Sequence, residues 1–273
     1  MEDIYQEIIR IKSEGEKAAV ATIISIQGST PREVGSKMLV RSDGSILGSI
    51  GGGNLEAKVQ EEAIKAMKEG KSKVLHFDLT GKESSEGETI ETGMICGGVS
   101  DILIEPIFSE PTLYIFGAGH ISLYLSKIGK MVGFNVVVVD DREEFANKER
   151  FPEANDIYAE DFQAVFPKLK LQKPYYFAIV TRGHRYDQDT LEWAIGTEPK
   201  YIGMIGSRTK NRTVFSNLQK KGMPKEQLEH VHAPIGLNIG SETPEEIAIS
   251  IIAEIIQVRR EGKPAGPKTI CET

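Results

Sequence analysis

Cysteine is almost absent from this chain. Cys96 and Cys271 are the two in 273 residues. So small a number, with one of the pair in a polar tail, excludes a disulfide-stapled scaffold and predicts free thiols in a cytoplasmic protein. A basic excess is missing too: 33 Lys and Arg stand against 40 Asp and Glu, a formal charge of −7, which argues against nucleic acid as a partner. No apolar run reaches membrane-spanning length, so no membrane association is expected. The opening residues MEDIYQEIIRIKSEGE lack both a basic n-region and an uninterrupted apolar h-region, so no secretory signal is visible.

What is present is the balance of a globular protein, 40% hydrophobic and 27% charged residues, in a chain long enough for two domains that each bury a core. The stretch DILIEPIFSEPTLYIF places Pro106 and Pro111 around a polar turn, which predicts a boundary near residue 110. Before it, KAAVATIISIQ, KMLVRSDGSILGSI and KVLHFDLT read as strands, with Asp43-Gly44 as a hairpin turn, and NLEAKVQEEAIKAMKEG reads as a helix ended by Gly70. GKESSEGETIETG has no periodicity and is expected to be a mobile loop. After the boundary, apolar strand, glycine turn and helix repeat. Continuous runs such as VVVV and FAIV suit strands buried on both faces of a parallel sheet. The expected fold class is therefore α/β: an N-terminal α+β domain over 1–110, a Rossmann-like domain with a mainly parallel sheet over 111–262, and a flexible tail over 263–273. The last helix carries Thr243, Pro244 and Glu246 as a capping box. Its apolar residues nearly encircle it, which predicts burial against the sheet or a homodimer contact.

The strand LYIF runs into Gly117-Ala118-Gly119-His120-Ile121-Ser122 and then a helix. Gly117 permits a sharp turn, Gly119 lets backbone approach a pyrophosphate, and the helix N-terminus supplies unpaired N–H groups. The next strand ends in Asp140 and Asp141, where an acidic side chain could accept ribose hydroxyls. Two departures from the dinucleotide pattern stand out: Ser122 replaces the third glycine, and His120 is bulky where a pyrophosphate would sit. A tight turn that serves packing alone is the alternative.

Other candidates lie at the ends of later strands, where a parallel sheet converges on its crevice. Thr181, Arg182, Gly183 and His184 follow YYFAIV, with Asp187 three positions on; polar ligand contacts or helix capping are preferred there over metal. Ser207 can cap a helix after YIGMI, and with Arg208 it suits a second phosphate contact, or simply a capped helix with a solvated arginine. His230 and His232 form an H-x-H that reads as structural. In the first half, Gly51, Gly52 and Gly53 lead into a helix and present backbone donors to an anion, with Arg32 as a phosphate partner, or act only through conformation. Cys96, in GMICGG, is either a small buried hydrophobe or a reactive thiolate.

Taken together, QGSTPREVGSKMLV, IGGGNLE, MICGG, FGAGHIS, VVVVDDREEFA, VTRGHRYD, YIGMIGSRTK and APIGLNIGSETPEEIAISIIAEII resemble, in order, the XdhC/CoxI family of accessory factors for xanthine dehydrogenase and related molybdenum hydroxylases. The likeness runs from about residue 15 to 260. It implies a protein without independent catalysis that binds the molybdenum cofactor, a pterin with a phosphate arm. Such a protein holds the cofactor while a cysteine desulfurase exchanges oxygen for sulfur, and delivers it to apo-xanthine dehydrogenase or a related hydroxylase. The chain is not the hydroxylase, for two cysteines cannot carry two iron–sulfur clusters. The resemblance also raises Cys96 as a ligand toward the molybdenum and groups Gln27, Arg32 and Gly51 to Gly53 near an inter-domain cleft whose helix N-termini and arginines hold the phosphate arm. The competing expectation is an NAD(P)-dependent oxidoreductase with His120 or His184 as proton donor. A structural module with an empty turn is the third.

Overall fold

The computed structural model describes residues 3–78, 89–91, 98–171 and 173–261. Cys96, Cys271, the 263–273 tail and most of the stretch expected to be a mobile loop lie outside the described residues. The chain divides into two compact units, Met1–Ser109 and Glu110–Thr273.

The first unit contains helix α1 (Ile4–Glu14), strands β1 (Ala18–Gln27), β2 (Lys37–Arg41) and β3 (Ile46–Gly48), helix α2 (Gly53–Glu69), and strands β4 (Lys73–Asp78), β5 (Thr89–Glu91) and β6 (Val99–Ile107). The sheet runs β3-β2-β1-β6-β4-β5 and is antiparallel except for the β4–β5 pair. That pair corrects the loop expectation at one point, since residues 89–91 add a short parallel strand. Alternation along β1 sorts its side chains. Ala19, Ala21 and Ile23 join the α2 core with Leu55, Val59 and Ala63, whereas Ala18 and Val20 meet Ile11 of α1. Helix α2 ends at Gly70, whose φ of +70° suits a glycine and lets its N–H bond the Ala66 carbonyl. Pro106 is not in a turn as the sequence suggested; it lies within β6 opposite Ala19 of β1. The β4 register ends earlier, at Ile104, so Pro106 sits where β6 has no ladder on that side to interrupt.

The second unit is built from β7 (Thr112–Phe116), α3 (His120–Met131), β8 (Asn135–Asp140), β9 (Asp156–Ala159), α4 (Phe162–Val165), β10 (Tyr175–Ile179), α5 (His184–Ile195), β11 (Tyr201–Met204), α6 (Arg208–Lys220), α7 (Lys225–Leu228), β12 (Val231–His232) and α8 (Pro244–Glu261). Its six strands are all parallel and ordered β12-β11-β10-β7-β8-β9. In chain order within the sheet this is 3-2-1-4-5-6 read from the other edge, the doubly wound arrangement whose ligand crevice opens where the winding reverses, between β7 and β10. Because the sheet is covered on both faces, its central strands are largely apolar, as in the VVVV of β8 and the FAI of β10. Leu113, Ile115, Val136 and Val138 pack with Leu125 of α3 and Ile251 and Ile255 of α8. Tyr114, Phe116, Val137, Val139 and Phe177 face the opposite way toward α5 and α6. Each such fully buried side chain stabilises the fold by roughly 1.5–3 kcal/mol. Trp193 stacks on Phe166 at 4.2 Å within the second layer.

Candidate functional site

The glycine turn is fixed from three sides. Gly117 has φ +106°, and a Cβ there would lie 2.4 Å from the Val180 carbonyl oxygen, so only glycine lets β7 turn this close to β10. Its N–H donates to Val139 O at 2.7 Å. Ser122, fully buried, donates its hydroxyl to Gly117 O at 2.6 Å. The side chain in the place of a third glycine therefore ties the turn to the first turn of α3. Gly119 is different. It has ordinary negative φ, no side chain caps α3 there, and nothing lies within 4 Å of where a Cβ would stand. The open position and the uncapped amides mark where an anion can approach. His120 opens α3 and is exposed.

The acidic pair after β8 behaves unlike the expectation. Asp140 is 2% exposed. Its carboxylate accepts the Ala118 N–H at 2.7 Å, the Arg142 N–H at 3.1 Å, and the Arg142 guanidinium at 2.8 and 3.0 Å. Burial raises its pKa, yet the Arg142 and Ala118 bonds outweigh burial and hold the carboxyl below the usual range. Both oxygens are engaged, so Asp140 braces the turn rather than waiting for ribose hydroxyls. Asp141 accepts from Arg182 at 2.7 Å and from the Tyr186 hydroxyl at 3.1 Å. These bonds link the ends of β8 and β10 across the crevice edge. Arg142 also stacks on Phe145, 3.8 Å from the ring centre.

Beyond β10, Thr181 and Asp187 form a buried network: Thr181 donates to Asp187 Oδ1 at 2.6 Å, and Lys210 Nζ lies 2.6 Å from Asp187 Oδ2. Burial pushes the Asp187 carboxyl up, against the pull of Lys210 and Thr181. Asp187 is thus a structural partner of Lys210, and His184 is not drawn to it: His184 and Arg185 stand exposed at the start of α5, where Gly183 provides no side-chain cap. Ser207 caps α6 by accepting the Lys210 N–H at 3.2 Å, and Arg208 is exposed beside it. The H-x-H separates, with His230 exposed and His232 buried 3.2 Å from Glu254. Among the described residues no three metal-ligating side chains cluster.

In the first unit Gly51 to Gly53 lead into α2, but a side chain of the same unit reaches their amides. Glu56 accepts from Ser49 at 2.7 Å and from the Ile50 N–H at 3.0 Å. Burial raises its pKa, and the bonds from Ser49, Ile50, Gly52 and Gly51 overcome that and lower it. The anion expected at this turn is internal. Gln27 and Arg32 are exposed. Gly98 would place a Cβ 2.5 Å from Ser29 O and 2.8 Å from Gln27 O, so the last glycine of the Cys-Gly-Gly motif packs against the end of β1. Cys96 itself is outside the described residues. Sequence reasoning missed Glu56, Arg142, Tyr186, Lys210 and Glu254. Glu254 carried a signal, a lone acid amid the apolar body of α8; the others look like ordinary surface residues until the fold pairs them.

Comparison with known proteins bears on this arrangement. The XdhC Rossmann domain profile matches residues 113–255, and the XdhC and CoxI family profile matches residues 11–78. The chain belongs to the XdhC and CoxI family. The Escherichia coli protein YqeB, itself uncharacterized, is 36% identical over 94% of this chain and 46% of its own length. A Bacillus subtilis protein described as a probable xanthine dehydrogenase component is 31% identical over 59% of this chain and 47% of its own. The chain thus spans about half the length of these two relatives. The Escherichia coli molybdenum cofactor insertion chaperone PaoD is 22% identical over 94% of this chain and 89% of its own. A crystal structure described as a xanthine dehydrogenase from Bacillus halodurans covers 97% of this chain and 98% of its own, at 26% identity and a TM-score of 0.51. In this XdhC-type Rossmann unit the turn is braced by Asp140 and Ser122, and Gly119 is left open above it.

Proposed function

We propose that this chain is a molybdenum-cofactor-binding accessory protein of xanthine dehydrogenase-type hydroxylases. It holds the cofactor by its phosphate arm at the Gly117–Ser122 turn, keeps it for sulfuration by a cysteine desulfurase, and passes it to the apo-hydroxylase. The carrying observation is the engagement of Asp140 by Arg142 and Ala118. It removes the ribose acceptor a nicotinamide dinucleotide needs while leaving the uncapped N-terminus of α3 for a phosphate. The name of the relative PaoD supports the cofactor's identity.

The residues present fit the phosphate end: Gly119 leaves space, and the first amides of α3 have no side-chain cap. Arg182 and His184 at the facing strand end, and Ser207 with Arg208 after β11, are the further contacts proposed. When bound, the cofactor supplies the molybdenum centre that the receiving hydroxylase uses. Cys96 is the residue proposed to face that metal, because a soft thiolate suits it. Gln27 and Arg32 are proposed as cofactor contacts of the first unit, and a homodimer is the proposed assembly. The test is co-elution of the purified full chain with molybdenum cofactor, read by oxidised-pterin fluorescence, beside parallel incubations with NAD and NADP. Pterin retention is expected. Retention of nucleotide without pterin overturns the reading in favour of the oxidoreductase.

A further inference from the structure

A cavity of about 850 Å³ opens past the ends of β11 and β12, between the starts of α6 and α8. Ser207 and Arg208, proposed above as ligand contacts, line one side of it, and the phosphate does not account for the rest of its lining. Its cover is the segment 234–241, part of the motif APIGLNIGSETPEE. That segment is held in one shape. Gly236 has φ +90°, and a Cβ there would fall 2.3 Å from Ser250 Oγ. The N–H groups of Ile235, Gly236 and Leu237 donate to Met204 O at 3.0 Å, Glu254 Oε2 at 2.7 Å and Ser250 O at 3.1 Å. A loop held to its scaffold by three successive backbone N–H groups presents a preformed wall.

The walls are aliphatic, with Ile205, Leu237 and Ile247, and between them stand the short polar side chains of Asn238, Ser241 and Ser250. Ser250 is 2% exposed and donates its hydroxyl to Ile247 O at 3.0 Å, which leaves its oxygen free to accept. Among the described residues the lining carries no carboxylate, and Arg208 is its one ionised group. Aliphatic walls grip a flat ring by dispersion, and an amide beside hydroxyls matches an edge on which donors and acceptors alternate. A cation has no partner there. The neighbouring cavity lined by His184, Arg185 and Lys210 is cationic and lacks this character. The site lies two to three strands from β7 along the same sheet edge, roughly 10–14 Å at the usual strand spacing, a reach suited to a phosphate and a ring joined by a short linker.

We propose that this cavity seats the planar heterocyclic end of the ligand, a pterin-type ring whose donor and acceptor edge Asn238 and Ser250 read, while the Gly117–Ser122 turn holds its phosphate. This rests on the cofactor reading above. The experiment titrates the full chain with neopterin and with neopterin monophosphate and follows quenching of pterin emission. Wild type is expected to bind both. Asn238→Ala should weaken both about tenfold, as loss of one ligand hydrogen bond does, and Ser241→Phe should abolish both by filling the cavity. Gly119→Val should weaken only the phosphorylated probe. Asn238 is exposed and Ser241 half-buried, so both variants are expected to keep the wild-type circular-dichroism melt. Ser250→Ala, which keeps the packing, gives a second reading of the same edge, again with about tenfold weakening of both probes. The inference is overturned if the Asn238, Ser241 and Ser250 variants bind both probes as wild type does, or if wild type retains molybdenum cofactor yet binds neither probe. Failure of wild type to retain the cofactor at all defeats the cofactor reading instead.

Discussion

The Asp140 carboxylate accepts the Ala118 N–H at 2.7 Å, joining the end of β8 to the middle of the glycine turn 22 residues earlier. Through Arg142, the same carboxylate is neutralised where a dinucleotide site would keep its charge for a ribose. The turn is consequently braced, and both carboxylates at the end of β8, Asp140 and Asp141, are engaged, a combination that favours an anionic group over a sugar diol.

Asp140→Asn removes the ion pair with Arg142 while preserving size. It should destabilise the second unit by about 1–3 kcal/mol at neutral pH. The native carboxyl lies below its usual pKa, so its contribution is present above the unfolded value of about 4 and is lost as pH falls through the native value. Denaturant unfolding followed by Trp193 emission should show the wild type and variant converging in acid. A gap that persists well below pH 4 contradicts this.

The two turn glycines should respond oppositely. Gly117→Ala places a methyl against Val180 O at positive φ and should cost about 2–3 kcal/mol or more. Gly119→Ala meets nothing and should melt within about 1 kcal/mol of wild type. Thermal unfolding of the pair checks this directly. Gly119→Val should remain folded, with a modest loss of capping, and lose cofactor retention.

Lys210→Met strips the buried Asp187 of its cation. Breaking such a pair costs about 3–5 kcal/mol when the remaining charge stays buried. Asp187 already has a raised pKa, and losing Lys210 raises it further, so protonation relieves the penalty. The variant's deficit should therefore shrink as pH drops from 7 toward 4. A deficit that grows in acid refutes the assignment.

Glu56→Ala leaves the amides of Ile50, Gly51 and Gly52 without their carboxylate and should destabilise the first unit by about 1–2 kcal/mol. Added phosphate should restore part of the loss in the variant and none in wild type, whose turn is already filled. Chemical denaturation with and without phosphate measures it.

Much of the architecture was legible in the chain. The stretches KAAVATIISIQ, KMLVRSDGSILGSI and KVLHFDLT read as the strands of the first unit, and the unbroken runs VVVV and FAIV as those of the doubly covered parallel sheet. The capping box at Thr243 and Glu246 forms as its residues imply, with the Glu246 N–H on Thr243 Oγ1 at 3.3 Å and the Thr243 N–H on Glu246 at 3.2 Å. Pro106 misled because a proline reads as a turn unless the ladder is known to stop beside it. Residues 89–91 misled because a three-residue strand carries too little pattern to stand out from a polar stretch.

The sequence by itself determined where strand, glycine turn and helix follow one another, because backbone conformation and apolar periodicity are local properties. It also determined the family, through motifs kept in order. Only the tertiary structure decided which charged groups remain available to a ligand. Asp140 reads as an acid available to a ribose, yet it is bound to Arg142 and the turn, and the amides around Gly51 to Gly53 read as open to an anion, yet Glu56 occupies them. Whether a carboxylate waits for a ligand or has already found a partner depends on where the folded backbone places its neighbours: Ala118, 22 residues from Asp140, Arg142, two residues on, and Ile50, six residues before Glu56.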